Sequence, residues 1–62
     1  MNEGDLCIYT DDWERKWLCV FMGDAFIHKI RPTLCQAYVY CFMVNDEWIV
    51  YTECLEVINE DR

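Results

Sequence analysis

The clearest pattern in the chain is a pair of apolar runs in its last third. Residues 36–44 and 47–58 are rich in β-branched, aromatic and other apolar side chains, and Asn45 and Asp46 lie between them as turn-forming residues. This composition favours a pleated strand, and residues 37–44 have no polar face of the kind that an amphipathic helix needs. The pattern predicts a hairpin.

Two shorter apolar runs earlier in the chain predict further strands of the same sheet. The first occupies residues 6–9. The second occupies residues 16–22 and is expected to end at Gly23 and Asp24, a pair that breaks strands and favours a tight turn. The polar residues 10–15 between these runs are predicted to form a loop.

Three other segments leave the local structure open. Residues 25–30 alternate along the chain, so they form either a short strand or part of a long, irregular loop, which Pro32 ends in both cases. Residues 12–17 and 52–54 are candidates for a single helical turn each. Short strands joined by short turns predict a small barrel, closed or nearly closed, because a flat sheet of this length would expose two edges and an apolar face.

Size and composition indicate one small domain with apolar side chains left at its surface. The chain has 62 residues, of which 55% are hydrophobic, and a domain of this size buries only about 60% of its extended surface. The surplus indicates an interface with another protein or a second copy, unless a small barrel simply cannot cover all its rings. The net charge of -7 disfavours direct binding to nucleic acid, because phosphate recognition requires Lys and Arg.

The cysteines indicate a reduced, cytosolic protein instead of a disulfide framework. They number five, an odd count, and most lie in apolar runs such as residues 18–20 and 40–42, so we expect them to act as small hydrophobic residues. Charged residues interrupt every long apolar stretch well before the roughly twenty residues of a membrane span. No membrane partner is therefore expected.

Catalytic and metal-binding residue sets are missing from the sequence. The chain has no serine and no Gly-rich phosphate loop, and a pairing of Cys19 with His28 would lack an orienting group. No Cys-x-x-Cys pair occurs, and His28 has no neighbour at ligand spacing. We expect neither enzymatic activity nor a metal or other cofactor.

Short motifs at both ends of the chain carry a family resemblance. Gly4-Asp5-Leu6-Cys7-Ile8 is similar to the first "GDLV-x-V" strand of SH3-like barrels, and Leu55-Glu56-Val57-Ile58 resembles their last strand, which follows a Trp-bearing strand and one 3₁₀ turn. The resemblance implies one all-β SH3-like barrel over residues 1–62, with about five antiparallel strands and a single 3₁₀ turn near residues 52–54. Small proteins of this layout are common in tailed bacteriophages, so it also implies a phage origin, action in the bacterial host cytoplasm and a scaffold for binding.

The candidate contact site combines acidic and aromatic side chains from two parts of the chain: Asp11, Asp12, Trp13, Glu14, Trp48 and Tyr51. The acidic cluster beside Trp13 follows the first strand, where SH3-like barrels commonly bind peptides. An aromatic platform flanked by carboxylates suits Pro-rich or Arg-containing segments, with Trp48 or Tyr51 as the other wall. The alternative is a solvated loop whose Trp13 folds back over the barrel mouth.

These observations predict a non-enzymatic phage-type module that binds and modulates a host protein. One alternative is a virion or self-assembling protein, in which one face of the third apolar run meets another subunit, formed either by Tyr38, Tyr40 and Phe42 or by Val39, Cys41 and Met43. A second alternative is an acidic mimic that occupies a nucleic-acid-binding groove on another protein.

Overall fold

The fold is all-β. The computed structural model describes residues 1–58, and within them it contains five strands and two 3₁₀ turns. The predicted fold class is confirmed. In chain order the elements are β1 (Leu6–Thr10), β2 (Lys16–Phe26), a first 3₁₀ turn (Pro32–Leu34), β3 (Gln36–Cys41), β4 (Asp46–Tyr51), a second 3₁₀ turn (Thr52–Cys54) and β5 (Leu55–Val57).

All strand pairs are antiparallel, and together they form a single sheet with the order β4-β3-β2-β1-β5. The hydrogen-bonded sheet is open, because β4 and β5 are its two edges. The second 3₁₀ turn, Thr52–Cys54, joins these two edge strands, as the resemblance implies. No strand ladder within residues 1–58 closes the barrel between β4 and β5.

The sheet curls strongly, so that its first and fourth strands face each other. In a flat sheet β4 and β1 would lie roughly 14 Å apart, three strand spacings of about 4.8 Å. The Trp48 ring of β4 instead lies 5.9 Å from the Tyr9 ring of β1 and 5.4 Å from the Trp17 ring of β2, centroid to centroid. The rings of these two pairs pack edge to face.

The core combines small and medium side chains with one large ring, that of Phe21. Cys7, Cys19 and Cys41 are 0% exposed and lie side by side on β1, β2 and β3, because Cys19 is paired in register with both of the others. Burial, the neighbouring Cys41 and Cys7 raise the pKa of the Cys19 thiol to about 12. The interpretation of cysteines as small hydrophobic residues is confirmed for these three, and no pair of them is bonded.

Strand β3 shows which face of the third apolar run is inside. Ala37, Val39 and Cys41 are buried, and the alternate residues Tyr38 and Tyr40 lie on the outer face of the sheet. Of the two faces that the sequence left open, the one with Val39 and Cys41 is therefore the inner face. These small side chains pack in the core with Phe21 and Val50.

The prediction that Gly23 ends the second strand is wrong. Strand β2 continues through Gly23 to Phe26, and its register against β3 shifts between Phe21 and Gly23 and again between Asp24 and Phe26. Gly23 has a φ of +132°, a backbone conformation that L side chains rarely adopt. Irregularities of this kind bend a strand without ending it.

The segment after β2 resolves the open choice for residues 25–30. Ala25 and Phe26 are the last residues of β2, and the chain from residue 27 to Arg31 is irregular. Two hydrogen bonds hold this loop. The His28 N–H donates to the Cys35 Sγ at 3.3 Å, and the Arg31 N–H donates to the His28 Nδ1 at 2.8 Å. The loop alternative is therefore correct for most of this segment.

The hairpin turn includes residues that the pattern assigned to a strand. Strand β3 ends at Cys41, and the turn spans residues 42–45, with Asn45 in the left-handed region at a φ of 60°. The Asn45 N–H donates to the Cys41 carbonyl at 2.9 Å, so Phe42 begins the turn although it is apolar. Asp46, predicted as a turn residue, is the first residue of β4.

The two candidate helical turns have opposite outcomes. Residues 52–54 form the second 3₁₀ turn, as predicted. Residues 12–17 are not helical: the Glu14 N–H donates to the Asp11 carbonyl at 2.9 Å in a tight turn, and β2 begins at Lys16.

Across residues 1–58, no helix is long and apolar enough to cross a membrane.

Candidate functional site

An open groove runs between the β1–β2 loop and the edge strand β4. It has a volume of about 730 Å³, and its lining combines aromatic, acidic and aliphatic groups with one arginine: Tyr9, Asp11, Arg15, Trp17, Glu47, Trp48, Ile49 and Val50. Concave sites with an apolar floor and a few oriented polar groups are the usual form of binding sites. We call this feature the β4 groove.

Three half-buried rings form the floor of the β4 groove. Tyr9 and Trp17 are paired in register across β1 and β2, and Trp48 packs edge-on against both from the far side of the curl. Trp48 is opposite the buried Val39 of β3, which turns its ring toward the interior side of β4. The rings are therefore fixed by the core before any partner arrives.

The Tyr9 hydroxyl stays protonated at neutral pH. Burial raises the pKa of this phenol, and Cys54, Asp12 and Asp11 raise it further. Tyr9 consequently offers a neutral O–H, which can donate or accept a hydrogen bond, among the residues that line the β4 groove.

Asp11 organises the loop beside the groove. Its Oδ1 accepts the N–H groups of Trp13 at 2.9 Å and Arg15 at 2.8 Å, and its Oδ2 accepts the Arg15 Nε–H at 2.9 Å and the Trp17 Nε1–H at 3.1 Å. Desolvation acts to raise the pKa of Asp11, but these hydrogen bonds, from Arg15, Trp17 and Trp13, outweigh it and lower the pKa to about 2. The carboxylate is engaged within the chain.

Arg15 already occupies the aromatic and acidic box that the sequence predicts for a partner's cation. Its guanidinium carbon lies 5.3 Å from the Trp13 ring centroid and 5.6 Å from that of Trp17, and its Nε–H is bonded to Asp11. This is the cation-π and carboxylate arrangement expected for an arginine of a partner, but here it is filled by an arginine of the same chain. The loop side of the site is therefore occupied by the chain itself.

The structure brings together only part of the predicted site. Asp11 and Trp48 both line the β4 groove. Asp12, Trp13 and Glu14 lie at the exposed tip of the β1–β2 loop, where Trp13 is 75% exposed and does not fold back over the barrel. Tyr51 is exposed near the end of β4 and does not line the groove.

Sequence reasoning missed the other six residues that line the groove: Tyr9, Arg15, Trp17, Glu47, Ile49 and Val50. Tyr9 follows the apolar residues 6–8 and Trp17 precedes the apolar residues 18–22, so both look like ordinary strand residues. A usable signal is the predicted loop over residues 10–15, since residues at the two ends of a short loop between strands face each other. The contribution of β4 depends on the curl, which no local pattern reveals.

A second apolar feature covers the outer face of the sheet. Tyr38 is paired with Ile49, and Val20 with Tyr40, on the face opposite the core. Several of the outer side chains are large and exposed: Leu18, Tyr38, Phe42, Ile49 and Tyr51. We call this feature the outer face.

The described residues hold no metal-binding cluster, and comparisons with known proteins identify no relative. Residues 1–58 contain no group of three or more His, Cys, Asp or Glu side chains placed to bind a metal ion. No protein-family model, curated protein or solved structure matches the chain. Its function must therefore be argued from the β4 groove and the outer face.

Proposed function

We propose that this chain is a non-enzymatic, phage-type module that binds a bacterial host protein through the β4 groove and so modulates that protein's activity. The observation that supports the proposal is the set of three rings from β1, β2 and β4, packed edge-to-face along an open groove. Enriched aromatic residues in concave, partly desolvated sites are characteristic of binding hot spots.

Prior ordering of the rings favours tight binding. Tyr9, Trp17 and Trp48 are half-buried and held by the core, so a partner would not pay the entropy of immobilising them. The Asp11 hydrogen bonds fix Trp17 from the loop side. Large rings that are rigid in the free protein supply contact area at low entropic cost.

Charge favours a basic partner surface. The net charge is -7, and the Asp11 charge in the groove is paired with Arg15, which leaves Glu47 as the unpaired acid of the lining. Asp12 and Glu14 on the loop tip and Asp46 beside Glu47 add negative charge at the two rims. Such a field accelerates association with basic proteins and opposes association with acidic ones.

The proposal is tested by capture from bacterial lysate with a groove variant and a matched outer-face variant. Trp48→Leu removes a groove ring but keeps an apolar side chain, and Tyr38→Leu makes the same kind of change on the exposed outer face. We expect a partner retained by wild type and Tyr38→Leu and reduced about tenfold or more with Trp48→Leu. Nothing above background, or equal capture by both variants, would contradict the proposal.

A second candidate function, self-assembly as a structural protein, is favoured by the outer face. Tyr38 is 45% exposed and Ile49 is 56% exposed on a face with neighbouring apolar side chains, and contiguous apolar surfaces mark interaction sites. Analytical ultracentrifugation at micromolar concentration distinguishes the two functions. A monomer argues against assembly, and a defined oligomer that Tyr38→Glu dissociates argues for it.

A further inference from the structure

The backbone groups along β4 alternate between hydrogen bonds to β3 and the free edge of the sheet. One hydrogen bond at the end of the strand shows which residues face which way. The Thr52 N–H donates to the Cys35 carbonyl at 3.0 Å, one position outside the pair formed by Gln36 and Tyr51. In an antiparallel ladder this identifies Gln36 and Tyr51 as a non-hydrogen-bonded pair. Tyr51 therefore turns its backbone polar groups away from β3.

Alternation along the strand then assigns the remaining residues. Val50 and Trp48 direct their N–H and C=O groups toward their β3 partners Ala37 and Val39, and Ile49 and Glu47 direct theirs outward. Every second residue of β4 thus presents its backbone to the free edge.

The hydrogen bonds between β3 and β2 agree with this assignment. The Phe42 N–H donates to the Leu18 carbonyl at 3.2 Å, flanking the pair formed by Cys19 and Cys41. Cys41 and Val39 must then turn away from β2 and toward β4. Two independent hydrogen bonds at opposite ends of the hairpin therefore give the same result.

Ile49 is the central one of the three residues that face this free edge, between Glu47 and Tyr51. The Glu47 N–H is already bonded to the Asp46 Oδ1 at 2.9 Å. Among residues 1–58, no backbone group is paired with the outward side of Ile49, whose side chain is 56% exposed. Both Ile49 and Glu47 line the β4 groove, so the unpaired backbone strip and the aromatic floor belong to one concave surface.

We propose that the free edge of β4 binds an extended, basic segment of the partner protein as an added strand, with the backbone of Ile49 as its central hydrogen-bonding position. This inference rests on the proposed function and specifies its ligand. Main-chain pairing supplies affinity in such complexes, and pockets for alternate side chains supply specificity.

The geometry also defines what the added strand should contain. Side chains on the same side as Trp48 would lie on the rings of the groove, and the alternate ones would extend the outer face beside Ile49. Basic residues are favoured near Glu47 and Asp46, at the start of β4. A second copy is disfavoured as the occupant, because each chain carries a net charge of -7.

The test removes one outward hydrogen-bond donor. A chain of 62 residues is accessible to chemical synthesis, so Ile49 can be replaced by N-methyl-isoleucine, with Ile49→Val as the matched control that keeps the N–H. Because this N–H does not belong to the β3 ladder, the fold should be retained, and circular dichroism checks this. The recombinant variant Ile49→Pro makes an equivalent change, since proline is tolerated where the N–H faces outward from an edge strand.

The probe is a random octapeptide library selected on the immobilised wild-type chain. We expect enriched peptides with basic residues and without proline, whose affinity for the N-methyl-Ile49 chain is about tenfold or more below their affinity for the Ile49→Val chain. No enrichment, proline-rich peptides, or equal affinity for the N-methylated chain would each overturn the inference.

Two further outcomes separate this inference from the proposed function. Peptides lost with Trp48→Leu but retained with N-methyl-Ile49 would leave the groove as the binding site and refute strand addition. Peptides unaffected by either change would refute both. A wild-type dimer in ultracentrifugation that N-methyl-Ile49 dissociates would show that the edge is used by a second copy, and would overturn the assignment of a foreign segment.

Discussion

Asp11 shows how much a single side chain contributes to the site. It accepts hydrogen bonds from the N–H groups of Trp13 and Arg15, from the Arg15 side chain and from the Trp17 indole. These bonds close the β1–β2 loop and orient one ring of the groove floor. The carboxylate therefore shapes the β4 groove through its hydrogen bond with Trp17.

The first prediction concerns the acid stability of this loop. The pKa of Asp11 is about 2 in the folded chain against an ordinary 3.8, so its ionised form stabilises the fold fully above about pH 4, and this contribution is lost as the pH falls toward 2. Asp11→Asn replaces an acceptor with a donor. We expect a lower urea midpoint at pH 7 and a weaker dependence of that midpoint on pH between 4 and 2.

Asp12→Asn is the matched control for this prediction. Asp12 is the next residue, is exposed, and makes no side-chain hydrogen bond among those of the described residues. We expect its urea midpoint to remain close to that of wild type at both pH values. An Asp11→Asn chain with wild-type stability and wild-type pH dependence would show that the hydrogen bonds to Asp11 do not organise the loop.

Asp11 also marks a limit of prediction from sequence at the residue scale. The acidic loop was expected to meet a partner's cation, but the chain's own Arg15 lies between Trp13 and Trp17 and is bonded to Asp11. An acid four residues before an arginine is compatible with either use. Only the loop conformation, with Glu14 at a φ of 61°, decides between them.

At the scale of elements, β2 is the strand that organises the sheet. It pairs with β1 along residues 16–20 and with β3 from Cys19 to Phe26, and its register shifts around Gly23 let it bend between the two partners. This bend is part of the curvature of the sheet, which brings the Trp48 ring of β4 next to the Tyr9 ring of β1. We therefore predict that Gly23 is important for the stability of the fold.

The second prediction is that Gly23→Ala destabilises the fold. A φ of +132° is unfavourable for any residue with a Cβ, so we expect a loss of about 1–3 kcal/mol in the free energy of unfolding, measured by urea denaturation. The added Cβ would also lie 3.3 Å from the Glu3 Oε2, at the far end of a flexible side chain.

A double variant separates the two causes. If backbone strain dominates, Gly23→Ala costs the same in a Glu3→Ala background as in wild type. If contact with Glu3 dominates, most of the loss disappears in the double variant. A Gly23→Ala chain as stable as wild type would contradict the positive φ of Gly23 as a requirement of the fold.

Element type was predictable here, and element ends were not. The composition of β3 and β4 predicted the hairpin correctly, because β-branched and aromatic residues favour strands. The turn was predicted at Asn45 and Asp46, because Phe42, Met43 and Val44 are apolar and continue the strand pattern, but it begins at Phe42. The left-handed Asn45 and its hydrogen bond to Cys41 override that pattern.

At the scale of the whole molecule, the site is a product of the curl. Tyr9, Trp17 and Trp48 come from three strands, and β4 is separated from β1 by two others in the sheet order. The prediction of a barrel implied that distant strands would meet, and it placed Trp48 at the site. It did not identify Tyr9 or Trp17, because ring contacts across a curl depend on strand order and register.

The most direct test of the binding site is an NMR titration of the ¹⁵N-labelled chain with the protein captured from lysate. The chain has 3 tryptophans, so the three indole N–H signals report on the groove and the loop tip separately. We predict that the indole signals of Trp48 and Trp17 and the amide signal of Ile49 shift on binding, while those of Tyr38 and Phe42 stay in place. Shifts confined to the outer face, or to Trp13 at the loop tip, would contradict the assignment of the β4 groove as the binding site.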